Sequence, residues 1–245
     1  MDRLLRQDDK TVLVVGGTSG IGNGIARAFA QLGAKVHVTG TKARKSDYYA
    51  SLGSDLSGLD FHSIDAASDA DVRRLAENFE ELDILILAQG VVEYKRAEYE
   101  IERFRRVVDV NLNSLMVCAT AFKRLLANAK GSLIIISSIA AFKAPIGTPA
   151  YGASKAGAVM LTRTLGAAWA VEGIRVNGIA PGFVQTKLTE VSASNPSRMH
   201  SILSRIPIGR VGTPDDMAAV AAFLASPLAR YVVGQTISVD GGLGA

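Results

Sequence analysis

Short apolar runs alternate along the chain with longer segments in which apolar residues recur at helical spacing. The first run is β-branched and apolar, and it ends at Gly16 and Gly17 before a helical pattern that begins at Ile21. Short apolar runs are typical of strands, and helical recurrence is typical of amphipathic helices. We therefore predict strands at residues 11–15, 35–39, 61–64, 83–87, 133–137, 175–179 and 236–239, and helices from residue 21 to Gly33 and near residues 70–79, 98–127, 150–171 and 214–225.

Two of the predicted strands contain an uninterrupted aliphatic run, at residues 84–87 and 133–136. Strands that are buried on both faces have this composition, and they occur in parallel sheets that are covered by helices. The alternation of strand and helix favours the same architecture. The sequence therefore predicts an α/β fold. We expect a single doubly wound Rossmann domain over residues 1–245, with a parallel sheet of about seven strands and helices on both faces.

A glycine-rich turn follows the first predicted strand. Its sequence is Gly16-Gly17-Thr18-Ser19-Gly20-Ile21-Gly22. Glycine lets the backbone turn tightly and lets phosphates approach its N–H groups, so this turn predicts a dinucleotide site at a helix N-terminus. A triphosphate-binding loop would need lysine after its last glycine, and Asn23 stands there instead. A turn that needs glycine for packing alone is the alternative.

Three polar side chains are candidates for acid–base chemistry. Tyr151 and Lys155 lie four positions apart at the start of a predicted helix, so they share one face. An ammonium group beside a phenol favours the phenolate, and we therefore expect Lys155 to lower the pKa of Tyr151. Ser138 follows a predicted strand at its carboxyl end, where open α/β sheets bind ligands. A solvated helix face and a simple cap are the alternative interpretations.

Together these residues resemble the short-chain dehydrogenase/reductase family, and in pattern its 3-oxoacyl-ACP-reductase-like members. The matching elements are Gly16-x-x-x-Gly20-x-Gly22, Asn111, Ser138, Tyr151-x-x-x-Lys155, Pro181-Gly182 and the C-terminal segment 234–242. The resemblance covers essentially the whole chain. It implies an enzyme, an NAD(P)(H)-dependent oxidoreductase that interconverts a ketone and a secondary alcohol by hydride transfer.

The resemblance also implies roles for individual residues. Tyr151 would exchange a proton with the substrate oxygen, Ser138 would orient that oxygen, and Lys155 would hold the nicotinamide ribose. Asn111 resembles the asparagine that anchors a water in a proton relay to the lysine. The predicted catalytic set is Asn111, Ser138, Tyr151 and Lys155. The predicted cofactor contacts are Gly16, Thr18, Ser19, Gly20, Ile21, Gly22, Thr41, Lys42, Asp65, Ala66, Ala88, Gly90, Tyr151, Lys155, Pro181, Gly182, Val184 and Thr186.

The residues after the second predicted strand bear on the choice of nicotinamide cofactor. A carboxylate at the end of that strand would select NAD, and Gly40 offers none. The Thr41 hydroxyl and the charges of Lys42 and Arg44 suit a 2′-phosphate. NADP-preferring family members often carry a basic residue where Ser19 stands, and this chain lacks it. We predict NADP(H), with NAD(H) as the alternative.

Two positions depart from the pattern of the family. Val15 stands where threonine is usual before the glycine turn. After the fourth predicted strand the family usually has Asn-Asn-Ala-Gly, whereas this chain has Leu87-Ala88-Gln89-Gly90. We therefore expect the hydrogen bonds around the adenosine pocket to differ, while the catalytic residues remain.

Composition excludes several other classes of function. Twenty-seven lysines and arginines oppose 23 aspartates and glutamates, and this net charge of +4 forms no basic block of the kind that marks nucleic-acid binders. Cys118 is the one cysteine and the three histidines are isolated, so we expect neither a disulfide nor a metal site. No apolar stretch resembles a signal peptide or a membrane span. We expect a soluble cytoplasmic protein.

The expected partner is a small carbonyl or alcohol substrate, with no nucleic acid and no membrane. A narrower alternative is 3-oxoacyl-ACP reduction in fatty-acid synthesis, for which Lys123, Arg124 and Lys130 would attract the acidic carrier protein. An alternative from another class is a catalytically silent regulator that senses nucleotides. Residues 187–210 predict a mobile, partly helical cover over the cleft. The last strand predicts a sheet edge that needs a partner, and the family resemblance implies a homotetramer.

Overall fold

A single parallel sheet organises the computed structural model of this chain, which describes residues 2–50, 53–186, 189 and 196–245. Its strands are β1 (Thr11–Val15), β2 (Lys35–Gly40), β3 (Asp60–Ser63), β4 (Ile84–Leu87), β5 (Ser132–Ile136), β6 (Arg175–Pro181) and β7 (Thr236–Val239). All neighbours pair in parallel, in the order β3-β2-β1-β4-β5-β6-β7. The predicted seven-stranded, doubly wound sheet is confirmed.

Helices cover both faces of this sheet, as predicted. The α-helices of the described residues are α1 (Asp2–Leu5), α2 (Gly20–Gln31), α3 (Asp69–Glu77), α4 (Ile101–Val108), α5 (Ser114–Ala129), α6 (Pro149–Trp169), α7 (Pro196–Leu203) and α8 (Pro214–Ala225). Helices α3, α5 and α6 pack on one face, and α2 and α8 pack on the other.

The two faces of the sheet carry separate apolar cores. Successive side chains of a strand point to opposite faces. In β1, Leu13 and Val15 therefore join the core under α3, α5 and α6, whereas Val12 and Val14 join the core under α2 and α8. Strands β4 and β5 divide their side chains in the same way, which explains the uninterrupted aliphatic runs at residues 84–87 and 133–136.

The helix predicted over residues 98–127 is interrupted in the structure. A 3-10 turn (Ala97–Tyr99) precedes α4, and a π-helical turn (Asp109–Asn113) separates α4 from α5. Within that turn the Asn111 side chain is fully buried, and its amide exchanges two hydrogen bonds of 2.8 Å with the backbone of Val91. Apolar periodicity carries no signal for this tertiary contact, so the sequence predicted a continuous helix. Single π turns often occur at functional sites.

Strands β1 and β7 have their predicted bounds, and the ends of the other five strands shift by one or two residues. Strand β4 begins at Ile84, and the side chain of the preceding Asp83 accepts the Thr11 N–H at 3.0 Å and the Lys10 ammonium at 2.7 Å. Strand β6 runs two residues further than predicted, since Pro181 still pairs in register with Val239. The proline costs no hydrogen bond at the last position of the strand.

Part of the predicted cover, residues 187–210, lies outside the described residues, namely 187, 188 and 190–195. The portion that is described contains α7, which confirms the helical part of that prediction. Among the described helices, none is both long and apolar enough to cross a membrane.

Candidate active site

A cavity of about 540 Å³ opens at the carboxyl ends of the central strands. Strand β1 has β2 on one side and β4 on the other, so the winding of the chain reverses there and leaves a crevice. Of the predicted cofactor contacts, all except Lys42 line this cavity, and so does Ser138. Asn111 is fully buried behind its wall. The structure thus brings together residues that are up to 170 positions apart in the chain, from Gly16 to Thr186.

The glycine turn forms one wall of the cavity with bare backbone. A Cβ on Gly16 would lie 2.8 Å from the Gln89 nitrogen, and a Cβ on Gly22 would lie 2.3 Å from the Gly16 oxygen. Gly16 also has φ of +74°, which favours glycine, and its N–H donates to the Thr39 hydroxyl at 3.1 Å. This cradle at the N-terminus of α2 fits a dinucleotide pyrophosphate.

Ser138, Tyr151 and Lys155 meet on the opposite wall. Ser138 follows β5 and caps a short 3-10 turn, because its hydroxyl accepts the Ala140 N–H at 3.1 Å. Its side chain is also hydrogen-bonded to the Tyr151 phenol. The Lys155 ammonium lies 5.8 Å from the centre of the Tyr151 ring and donates to the Ile136 carbonyl at 2.9 Å. One helix and one strand end therefore present a hydroxyl, a phenol and an amine to the same space.

Burial, not the neighbouring ammonium, dominates the ionisation of Tyr151. It raises the pKa of the phenol above its ordinary value near 10, and the hydrogen bond with Ser138 offsets this only in part. Burial also lowers the pKa of Lys155 to about 8. The predicted lowering of the Tyr151 pKa by Lys155 is therefore wrong for this structure. The ammonium is itself desolvated and points its proton at a backbone carbonyl.

Asn111 connects the helix of Tyr151 to the chain segment after β4. Besides its bonds to Val91, its amide donates to the Ser154 hydroxyl at 3.2 Å, and that hydroxyl donates to the Tyr151 carbonyl at 2.9 Å. A Cβ on Gly90 would lie 3.4 Å from both the Asn111 amide oxygen and the Lys155 ammonium nitrogen. The predicted catalytic asparagine thus lies beside Lys155 without lining the cavity.

A second cavity, of about 260 Å³, adjoins the glycine turn and is rich in hydroxyl groups. The Lys42 ammonium stands 4.9 Å over the Tyr48 ring and donates to the Asp47 carbonyl at 2.5 Å. The Ser54 hydroxyl is buried and has no hydrogen-bond partner among the described residues. Arg44, which sequence reasoning also considered, lines neither cavity. The lining consists of Thr18, Ser19, Thr41, Lys42, Tyr48, Tyr49 and Ser54.

Gly40, at the end of β2, has no room for a side chain. A Cβ there would lie 2.3 Å from the Tyr48 hydroxyl and 2.7 Å from that of Thr18. An NAD-selecting carboxylate at this position would require both side chains to move. The sequence shows that no acidic residue stands at the end of β2, and the structure gives a steric reason for this.

The departure after β4 changes the wall of the main cavity. The Gln89 side chain donates to the Ser114 hydroxyl at 2.9 Å, and its buried amide oxygen has no partner among the residues that the structure describes. Cys118 lies 3.9 Å from the same amide nitrogen, and burial raises the pKa of its thiol to about 12. The thiol is thus a buried apolar group rather than a reactive one.

Sequence reasoning missed several residues that shape the site. The sequence around Glu98 is rich in charged residues and gives no sign of burial, yet its side chain is fully buried and hydrogen-bonded to the Tyr151 backbone N–H. Tyr48 and Ser54 were not singled out, because nothing in their local sequence shows that they meet the glycine turn. Asn23 links the glycine turn to the segment that contains Ser54, since its amide donates to the carbonyls of Gly17 and Asp55.

Comparison with known proteins identifies the relatives of the chain. The family described as enoyl-(acyl carrier protein) reductase matches residues 15–244. The chain is 37% identical over 238 residues to 2-dehydro-3-deoxy-D-gluconate 5-dehydrogenase of Bacillus subtilis, covering 95% of this chain and 94% of that protein. It is 36% identical over 239 residues to a 3-oxoacyl-[acyl-carrier-protein] reductase of Rickettsia conorii, covering 96% of each.

A solved structure shows the same fold with a nucleotide bound. It is a gluconate 5-dehydrogenase from Burkholderia cenocepacia in complex with NADP and tartrate. The TM-score is 0.89 at 30% sequence identity, and the match covers 99% of this chain and 98% of that one.

The pKa directions at the site predict the ultraviolet titration of the protein. Because burial raises the pKa of Tyr151, we expect this phenol to ionise at higher pH than an exposed tyrosine. The difference in tyrosinate absorbance between the wild type and Tyr151→Phe reports this group alone, and Tyr231→Phe, which removes an exposed tyrosine, is the matched control. A Tyr151-dependent tyrosinate signal below pH 8 would contradict the assignment.

Proposed function

Because the chain belongs to the short-chain dehydrogenase/reductase family, we propose that its main cavity binds NADP(H) and that Tyr151 is the general acid/base of the reaction. The chain is an NAD(P)-dependent oxidoreductase that acts on CH–OH groups. The observation that carries the assignment of residues is the meeting of Ser138, Tyr151 and Lys155 opposite the glycine cradle in one cavity. Because all seven strands belong to one sheet, we also propose that residues 1–245 form a single domain.

The side chains divide the proton chemistry among them. When bound, the nicotinamide supplies or accepts the hydride. The Tyr151 phenol donates a proton to the carbonyl oxygen in reduction and regains one in oxidation, and the Ser138 hydroxyl holds that oxygen. The raised pKa of Tyr151 keeps the phenol protonated at neutral pH, which is the form that reduction requires. Lys155 places positive charge 5.8 Å from the ring centre, and its ammonium would hold the nicotinamide ribose.

Removal of the phenol should abolish turnover without abolishing cofactor binding. We expect Tyr151→Phe to lose at least about 10²-fold in kcat, because it removes the phenol that is hydrogen-bonded to Ser138, while the Kd for NADPH stays within about twofold. Nicotinamide absorbance with a panel of ketones gives kcat, and calorimetry gives Kd. Tyr231→Phe controls for the loss of a tyrosine as such.

Near-wild-type turnover by Tyr151→Phe would overturn the proposed mechanism. If the wild type itself oxidised no NADPH with any ketone of the panel, the alternative of a nucleotide-sensing regulator would stand. The intact Ser138, Tyr151 and Lys155 set argues against that alternative, because a sensor needs no proton donor.

The structure weakens the support for 3-oxoacyl-ACP as the substrate. Lys123 is paired with Glu172 at 2.6 Å and stands 5.5 Å over the Trp169 ring. Lys130 packs against Gly173 and precedes β5, so it lies at the amino ends of the strands, opposite the cavity. Lys130 is therefore badly placed to attract a carrier protein to the cavity, and the charge of Lys123 is already paired. We therefore favour a small polar ketone or secondary alcohol, and 3-oxoacyl thioesters belong in the substrate panel as the second candidate.

The second cavity supports NADP(H) rather than NAD(H). Its lining combines the Lys42 ammonium with the hydroxyls of Thr18, Thr41 and Ser54, and it adjoins the turn that would hold the pyrophosphate. A phosphate monoester accepts hydrogen bonds from such groups, and charge-assisted bonds are the stronger ones. The steric block at Gly40 excludes an NAD-selecting carboxylate without rearrangement.

Cofactor preference can be tested at Lys42. We expect Lys42→Gln to raise the Kd for NADPH about tenfold and to leave the Kd for NADH unchanged, because only NADPH carries the phosphate. Ser54→Ala should act in the same direction. Arg44→Gln is the control, since Arg44 lines neither cavity. If calorimetry shows that the wild type binds NADH more tightly than NADPH, the proposal fails.

We further propose that the protein is cytoplasmic and assembles as a homotetramer. Among the strands of the described residues, β7 pairs only with β6, so one of its edges is available to a second copy. Met116 on α5 and Met160 on α6 are exposed, which places apolar surface on the outer helix layer as well. Two separate surfaces of this kind suit an assembly with two different two-fold contacts.

Light scattering measures the mass of the assembly directly. We expect four chains per particle at micromolar concentration, and Met160→Lys should shift the mass towards smaller species because it places a charge on an apolar contact. The control is Glu102→Gln, which changes an exposed charge on α4 and should leave the mass unchanged. A stable monomer of the wild type would contradict the proposal.

A further inference from the structure

A buried carboxylate lies directly behind the catalytic tyrosine. Glu98 belongs to the 3-10 turn before α4, and its side chain is fully buried. One carboxylate oxygen accepts the Tyr151 N–H at 2.9 Å, and the other accepts the Glu93 N–H at 3.0 Å. A fully buried charge is costly unless it is paired or hydrogen-bonded, and here both oxygens are satisfied by backbone donors. The contact spans 53 positions of sequence.

The contact of Glu98 with the Tyr151 N–H satisfies a donor at the start of α6. Tyr151 is the third residue of α6, and the first turn of a helix has N–H groups without intrahelical acceptors. The residue that precedes the helix, Thr148, provides no side-chain cap. Glu98 therefore takes the place of the cap from a different segment. Its negative charge is also favourable at a helix N-terminus.

Both backbone groups of Tyr151 are thus held by side chains. Its N–H is bound by Glu98, and its carbonyl accepts from Ser154, which in turn is bound by Asn111. Asn111 and Glu98 also both bind the segment after β4, at Val91 and Glu93 respectively. The backbone of the tyrosine and the rim of the cavity are consequently tied together at two points.

We propose that Glu98 is a positioning residue for the reaction, which holds Tyr151 in place through its backbone N–H and sets a negative charge beside the phenol. This inference rests on the proposed role of Tyr151. Glu98 acts through the tyrosine, because it does not line the cavity and cannot touch a substrate. Glu98 also binds the backbone N–H of Glu93. The Glu93 side chain in turn forms ion pairs with Arg103 and with Arg106, and Arg106 lines the cavity.

The charge of Glu98 should affect the pH at which Tyr151 ionises, which a purely structural role would not do. The titratable groups that face Tyr151 are Lys155 on its own helix and Tyr94 and Glu98 on the segment before α4. Burial is the main cause of the raised pKa of Tyr151, and the charges of Tyr94 and Glu98 raise that pKa further. Burial and then the Glu98 charge raise the pKa of Tyr94. Removal of the Glu98 charge should therefore move the ionisation of Tyr151 to lower pH.

The test compares Glu98→Gln with Glu102→Gln, an identical change at an exposed position on α4. A glutamine keeps the size of the side chain but presents an NH₂ group to one of the two N–H donors. We expect Glu98→Gln to lower kcat roughly tenfold or more, because misplacement of a catalytic group is costly, with the Kd for NADPH within about twofold. The ionisation of Tyr151 in the pH profile of kcat should shift to lower pH, whereas Glu102→Gln should change neither quantity.

Two results would overturn the proposal. One is a Glu98→Gln enzyme whose kcat and pH profile match those of Glu102→Gln. If Tyr151→Phe is inactive in the same assay, that result refutes the role of Glu98 and leaves the proposed function of Tyr151 intact. The other needs no variant: the Tyr151 amide of the wild-type protein should resist hydrogen exchange although it lies in a first helical turn. Exchange as fast as that of an unbonded amide would refute the contact even if Glu98→Gln did not fold.

Discussion

The parallel pairing of β1 with both β2 and β4 is the constraint on which the rest of the site depends. It sends the chain to opposite sides of β1 and leaves a crevice at the carboxyl ends of the strands. The crevice stays open only because the backbone of the glycine turn packs directly on that of the segment after β4. A Cβ on Gly16 would come within 2.9 Å of two backbone atoms of Gln89, so a larger residue would push the two strand ends apart.

The second determinant is the burial of ionisable groups at one wall of that crevice. The Lys155 ammonium and the Tyr151 phenol are both withdrawn from water, and each is driven toward its neutral form. Backbone and hydroxyl partners compensate for the lost hydration, through the Ile136 carbonyl and the Ser138 hydroxyl. A neutral phenol is ready to donate a proton. Any charged group that enters the same space therefore acts on Tyr151 with little screening.

Rigidity of the tyrosine comes from elsewhere in the chain. The first turn of a helix is the part that frays most easily, and the phenol is carried by that turn. Glu98 and the Asn111–Ser154 pair hold the backbone there, and both reach it from the segment that links β4 to α5. The π-helical turn at Asp109–Asn113 belongs to the same arrangement, since it contains the asparagine that clamps Val91. Positioning of the proposed acid/base group is thus a property of three segments rather than of one helix.

The sequence by itself determined the strand–helix alternation, the parallel sheet and the glycine turn, because periodicity and glycine spacing are local signals. Helical spacing and the end of a strand made Ser138, Tyr151 and Lys155 candidates, the resemblance implied their roles, and the structure brings them to one cavity. Only the tertiary structure decided the direction of the Tyr151 pKa, since desolvation depends on what covers the phenol. It alone also placed Glu98 under the catalytic helix and Ser54 beside Lys42, because contacts over 53 and 12 positions leave no pattern in either segment.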